Sequence, residues 1–144
     1  MAFKTLCLVL CLALYAMEAH GLKTFLPIRR NVDFFRAVQA CRIMGGHLAS
    51  IESADENTRL HNAIKAAVGT MTSQWWIGGM DYGNEGTFVW YSLNKPIVYK
   101  NYLPNEPNNF KGVENCLIID GVSGKWNDIP CDSPVEGYLC AFIR

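Results

Sequence analysis

Neither sign of charge is in excess in this sequence: 13 Lys and Arg stand against 13 Asp and Glu. A surface without a net basic field has no general attraction for nucleic acid or an anionic membrane, so neither is expected as a partner. No apolar run reaches the ~20 residues that a bilayer-spanning helix needs, which argues against membrane insertion. Collagen-like repeats, heptad runs, internal repeats, low-complexity tracts and linkers are missing, so function must sit on one ordinary domain. Histidine is scarce at three residues, and no cysteine pair has the C-x-x-C spacing of zinc ligands.

What is present begins with a leader. Residues 1–21 carry Lys4, an apolar run from Leu6 to Ala16, then the small residues Ala19 and Gly21, the pattern of a cleaved secretory signal peptide. The expected organisation is a signal peptide over 1–21 and one domain over 22–144, secreted and extracellular. Cleavage would discard Cys7 and Cys11 and leave Cys41, Cys116, Cys131 and Cys140. Four cysteines in an oxidising compartment favour two disulfides, with three pairings open.

Asn31 suits a helix start, Phe34, Val38 and Cys41 recur on one helical face, and Gly45-Gly46 supply a stop. Ser53 and Glu56 have the capping-box spacing, followed by Leu60, Ile64 and Val68 at four-residue intervals and a stop at Gly69. Beyond Gly69 short aromatic and β-branched runs at 75–77, 87–91, 116–119 and 138–143 read as strands. The stretch from Ser92 to Glu114, with Pro96, Pro104, Pro107 and many Asn, is too long for an ordinary connection and reads as a functional or a disordered loop. Two helices followed by strands predict an α+β fold.

Within and beyond that loop lie Glu106-Pro107-Asn108, Glu114 two positions before Cys116, and Trp126-Asn127-Asp128 before Cys131. Glu106, Asn108, Glu114, Asn127 and Asp128 all offer oxygen. A hard cation such as Ca2+ takes about six to eight oxygens, from carboxylates and amide carbonyls among others. Taken singly, each motif is ordinary loop composition; their order and spacing make them a set.

Over nearly the whole chain beyond the leader, the sequence resembles a C-type lectin domain. The resemblance rests on C-R-I-M-G-G-H-L-A-S-I-E-S at 41–53, W-I-G at 76–78, E-P-N at 106–108, E-N-C at 114–116, W-N-D at 126–128 and the final Cys140. It implies two helices, a two-part antiparallel sheet and a long calcium-binding loop, with disulfides Cys41–Cys140 and Cys116–Cys131. It implies a principal Ca2+ held by Glu106, Asn108, Glu114, Asn127 and Asp128, the same residues also binding sugar hydroxyls. E-P-N implies mannose-type sugars: mannose, fucose or N-acetylglucosamine. A second Ca2+ would involve Asp81, Glu85, Asn109 and Asn115, the last commonly Asp in relatives, so that this site carries less charge.

The expected function is therefore calcium-dependent binding of mannose-type glycans, in microbial or cell-surface recognition, by a protein that is not an enzyme. A cation holding the carboxylates ionised is the opposite of what a glycosidase acid needs. A protein-binding module on the same scaffold, acting in coagulation or immune modulation with little sugar binding, is the alternative. One shallow site binds weakly, which implies self-association or a partner chain for avidity. Trp75, Trp76, Trp90 and Trp126 are expected in the core or sheet, His47 and His61 as structural or surface residues, and Lys65 and Lys111 as surface charges.

Overall fold

The computed structural model describes residues 2–144. Met1 and the side chains of residues 12–20, part of the segment read as a leader, lie outside that description. The backbone of Ala2–His20 forms α1, and Phe3, Leu6, Leu8, Val9 and Leu10 on it are exposed. No helix among the described residues is long and apolar enough to cross a membrane.

Two helices belong to the domain. In α2 (Phe34–Ile43) the buried side chains are Phe34, Ala37, Val38 and Cys41, one face of the helix. Its cap is Asp33, which accepts from Arg36 N–H at 2.8 Å, and not the expected Asn31. Asn31 instead accepts the Val135 N–H, tying the helix approach to the C-terminal segment. In α3 (Ala54–Val68) Ser53 caps through Glu56 N–H, as the spacing predicts. The Glu56 carboxylate reaches back one residue further than in a simple capping box, to Glu52 N–H.

Eight strands form one mixed sheet: β1 (Lys23–Ile28), β2 (His47–Leu48), β3 (Gln74–Met80), β4 (Val89–Trp90), β5 (Lys95–Pro96), β6 (Cys116–Asp120), β7 (Trp126–Ile129) and β8 (Gly137–Ile143). All pairings are antiparallel except β3 with β8, which is parallel, so the sheet is not purely antiparallel as expected. The run 87–91 contributes only two strand residues. β1 was not expected: Pro27 weakens its strand pattern, but β8 supplies an antiparallel partner along its whole length.

Alternation along the central strands divides the core in two. Trp75 and Ile77 of β3, Leu117 and Ile119 of β6, and Leu139 and Ala141 of β8 join Leu60 and Ile64 of α3 on one face. Trp90 and Trp126 complete that cluster. Trp76, Ile118, Tyr138 and Cys140 face α2 on the other side. All four tryptophans are 2% exposed or less, which identifies them as core residues. Gly79 is required by packing, because a Cβ there would run into the Leu117 side chain.

The N-terminal strand is held by a buried cation. Lys23 Nζ lies 2.9 Å from Glu52, 2.8 Å from Glu56 and 3.0 Å from Ser50 Oγ, while Ser50 Oγ is 3.0 Å from His47 Nε2. Burial and then the Lys23 charge hold the His47 pKa below its usual value, and the Lys23 hydrogen bond holds Glu52 below its own. His61 bonds the Gly121 carbonyl through Nε2 at 2.8 Å. Both histidines thus have structural places.

Disulfides join Cys41 to Cys140 and Cys116 to Cys131, closing segments of 99 and 15 residues. In the chain-entropy account such cross-links stabilise by about 4.7 and about 3 kcal/mol. Chemical denaturation should therefore rank Cys41→Ala with Cys140→Ala as the more destabilising double variant; the reverse order would mean that local strain outweighs loop entropy.

A lowered His47 pKa means that the unfolded chain takes up a proton first as pH falls. Its contribution is intact above the unfolded value of about 6.5 and is lost as pH drops toward the folded value. Glu52, also lowered, acts with the same sign from about 4.5 downward. Thermal melts should show wild type losing more stability between pH 7.5 and 5.5 than His47→Gln; parallel pH curves for the two would overturn this assignment.

Candidate functional site

The long loop folds around one buried carboxylate. Asp128, on β7 and 1% exposed, accepts Asn108 N–H with one oxygen at 3.1 Å and Asn109 N–H with the other at 2.8 Å. Asn105, Asn109 and Lys111 have left-handed backbone, with φ of 65°, 45° and 57°. Two of these are Asn, which tolerates that region better than other residues with a Cβ, so the loop's Asn content has a conformational reason.

Glu106, Glu114 and Asp128 converge: each places a carboxylate oxygen within 4.8 Å of the other two. Glu114 arrives because its N–H donates to Asn109 Oδ1 and its carboxylate accepts the Phe110 N–H at 2.8 Å. Asn108 Oδ1 also accepts from Phe110 N–H, at 3.1 Å. The register of β6 against β7 pairs Cys116 with Ile129 and Ile118 with Asn127, and the Cys116–Cys131 bridge holds the strand ends. All five expected residues therefore lie on one structural unit.

Electrostatically this unit is incomplete. Burial first, then Asp128 and Glu114, push Glu106 up to about 7, and burial raises Glu114. Glu106 Oε2 and Asn127 Oδ1 are buried with no hydrogen-bond partner among the described residues. Buried acceptors without donors are costly, and three carboxylates together repel. A hard cation answers both at once, since it needs oxygen ligands and carries the opposite charge. The residues present fit Ca2+.

The second expected group is partly assembled. Asp81 is 2% exposed and accepts Gly86 N–H at 2.8 Å, and burial raises its pKa. The Asn115 amide approaches both Asp81 Oδ1 and Glu85 Oε2 at 3.0 Å, an arrangement its NH2 satisfies by donating to both carboxylates. Asn109 uses its side-chain oxygen on Glu114 N–H and so belongs with the first group. Asn115 supplies by hydrogen bonding part of what a second cation would supply by charge.

Phe110 was not singled out from the sequence. Its N–H spans Asn108 and Glu114, which fixes its backbone against the cluster, while its ring is 60% exposed with Lys111 Nζ 5.4 Å from the ring centroid. An aromatic residue between E-P-N and E-N-C was the available signal.

The Lectin C-type domain family matches residues 30–142. The chain is similar to the low affinity immunoglobulin epsilon Fc receptor of Mus musculus, 39% identical over 108 residues, covering 75% of this chain and 30% of that one. It is similar to the mannose-binding protein of Gallus gallus, 39% identical over 100 residues, 69% of this chain and 36% of that one. The chain thus spans about a third of the length of these relatives. Among solved structures it resembles the cow C-type carbohydrate-recognition domain of CD23, crystallised in the presence of a GlcNAc2Man3 oligosaccharide. That match has a TM-score of 0.74 and 34% identity, and covers 85% of this chain and 88% of that one. Domains of this family typically bind Ca2+ and recognise carbohydrate; they are not enzymes. The chain belongs to the C-type lectin domain family and is built as a carbohydrate-recognition domain.

Proposed function

We propose that this domain binds mannose-type glycans through a Ca2+ held by Glu106, Asn108, Glu114, Asn127 and Asp128. The observation that carries the reading is the convergence of three carboxylates, one of which has a buried oxygen without a donor among the described residues, as has the Asn127 amide. A bound calcium supplies coordination positions for two vicinal hydroxyls of a sugar. The chain's own part is to orient: Asp128 anchors the loop backbone, Glu106 and Glu114 would accept hydrogen bonds from the hydroxyls, and Asn108 and Asn127 offer amide groups that both donate and accept. The E-P-N order supports mannose, fucose or N-acetylglucosamine over galactose.

The reading extends to location and assembly. An apolar α1 with its described side chains exposed supports removal of residues 1–21 as a signal peptide, leaving a secreted domain over 22–144. Asp81, Glu85 and Asn115 form a weaker second calcium site, without Asn109, whose side-chain oxygen is engaged on Glu114 N–H. A single shallow sugar site supports clustering of domains, by self-association or on a partner chain, on microbial or cell surfaces.

Calcium binding only the folded state should stabilise it by about 2.7 kcal/mol at a hundredfold excess over Kd. Millimolar calcium should raise the melting temperature and protect the 92–114 loop from protease, both reversed by chelator. Unchanged melting and unchanged proteolysis would remove the calcium assignment.

Exchanging the two readers tests the sugar assignment. Glu106→Gln with Asn108→Asp retains one carboxylate and one amide but swaps acceptor and donor around the hydroxyls. On a glycan array in calcium, preference should move from mannose-type toward galactose-type sugars, with all binding lost in chelator. A double variant that kept the wild-type, chelator-sensitive profile would leave metal-dependent recognition standing and discharge these two residues from it.

A further inference from the structure

A cleft of about 360 Å³ opens between the β4–β5 hairpin and the long loop, walled by Phe88, Pro96, Ile97, Lys100, Tyr102 and Pro107. Gly86 and Thr87 complete its rim. Pro107 stands between Glu106 and Asn108 in the chain, so one wall residue of the cleft and one carboxylate of the cluster, Glu106, belong to the same three-residue segment. The cleft is therefore an extension of the site just described and not a remote cavity.

We propose that this cleft receives the second residue of a bound glycan and selects one that carries an anionic substituent, a phosphate or a sulfate. The inference rests on the calcium-dependent sugar reading and adds the chemistry of the neighbouring residue.

Three features carry it. Pro96 is an exposed apolar residue of the lining and can meet the C–H face of a pyranose ring, while Phe88 and Ile97, 7% and 8% exposed and part of the core, offer the cleft only an edge; the volume is that of a small-ligand site. Lys100 is the only charged residue among the lining. It is exposed and has no carboxylate within ion-pair distance among the described residues, so its charge is free for a ligand. The Tyr102 hydroxyl has no hydrogen-bond partner among the described residues, and a phenol at neutral pH donates a proton to an anionic oxygen. Cation and donor on one cleft, with apolar walls, match a charged ester on a sugar better than a neutral hydroxyl. Lys111 lies over the Phe110 ring and is not among the residues lining the cleft, so it serves as a lysine of the same loop outside it.

The test is calorimetric titration of the whole protein in saturating calcium and low salt. The ligands are a neutral mannobiose and the same disaccharide bearing one phosphate or one sulfate on the residue not held by calcium. An exposed ion pair supports a gain of up to about fivefold for the anionic ligand. Lys100→Gln should abolish that gain while leaving neutral mannobiose unchanged, Lys111→Gln should preserve it, and chelator should abolish binding of all three ligands. A gain with only one ester identifies which substituent the cleft takes. Equal affinity for neutral and anionic ligands in the wild type would overturn the proposal. So would a gain that survives Lys100→Gln, a gain lost equally in Lys111→Gln, or anionic binding that persists in chelator. Failure of neutral mannobiose itself to bind in calcium would instead overturn the sugar reading, and this inference with it.

Discussion

Asp128 is the point on which the binding region depends. It is buried on a short strand, and each of its oxygens takes a backbone N–H from the loop some twenty residues earlier in the chain. A loop rich in proline and asparagine has no ladder of its own to satisfy its backbone, so its shape must be imposed from outside. One carboxylate does this at Asn108 and Asn109. The turn so formed then sends Phe110 N–H to Glu114 and Glu114 N–H to Asn109, closing the circuit. Loop conformation and ligand placement are consequences of the same bonds.

The cost of this arrangement is electrostatic. Burial, and then the proximity of Asp128 and Glu114, raises the Glu106 pKa to about 7, and buried acceptors are left without donors among the described residues. The remainder of the domain is organised to hold such a region in place. The two core clusters fill both faces of the sheet with four tryptophans, and the Cys116–Cys131 bridge fastens the strand pair that carries Asn127 and Asp128. Trp126 packs edge-on against Trp90, Tyr99 and Tyr102, so the floor beneath the loop is rigid aromatic surface. The same Tyr102 then faces the adjoining cleft. Stability stored in the core is what allows strained charge at the rim.

Around the N-terminal strand the structure reverses the sign of the problem. Lys23 is a buried cation ringed by Glu52, Glu56, Ser50 and, through Ser50, His47. Arg59 also donates to the Lys23 carbonyl and lies over the Phe25 ring, so α3 covers the start of the outer strand. The lysine is satisfied by side chains of the chain itself, whereas the carboxylate cluster is not. That contrast separates a structural charge from one left open to a ligand.

The order E-P-N, E-N-C, W-N-D already named the residues of the cluster, because oxygen-bearing side chains are recognisable by chemical type and spacing. The helix starting at Ser53 and the tryptophan-rich core were legible for a similar reason: capping and burial are local or compositional properties. What the chain alone left open depended on partners distant in sequence. Three disulfide pairings were compatible with four cysteines until the β6–β7 hairpin and the crossing of α2 over β8 brought specific pairs together. β1 was hidden because a strand containing Pro27 is a strand only when β8 lies beside it. Asn109, expected with Asp81 and Glu85, accepts the Glu114 N–H with its side-chain oxygen, through a turn that no spacing rule specifies. Asn115 has the amide to bridge Asp81 and Glu85, yet only the fold puts it within 3.0 Å of both. Residue type decided which groups could bind a cation; long-range pairing decided which of them met.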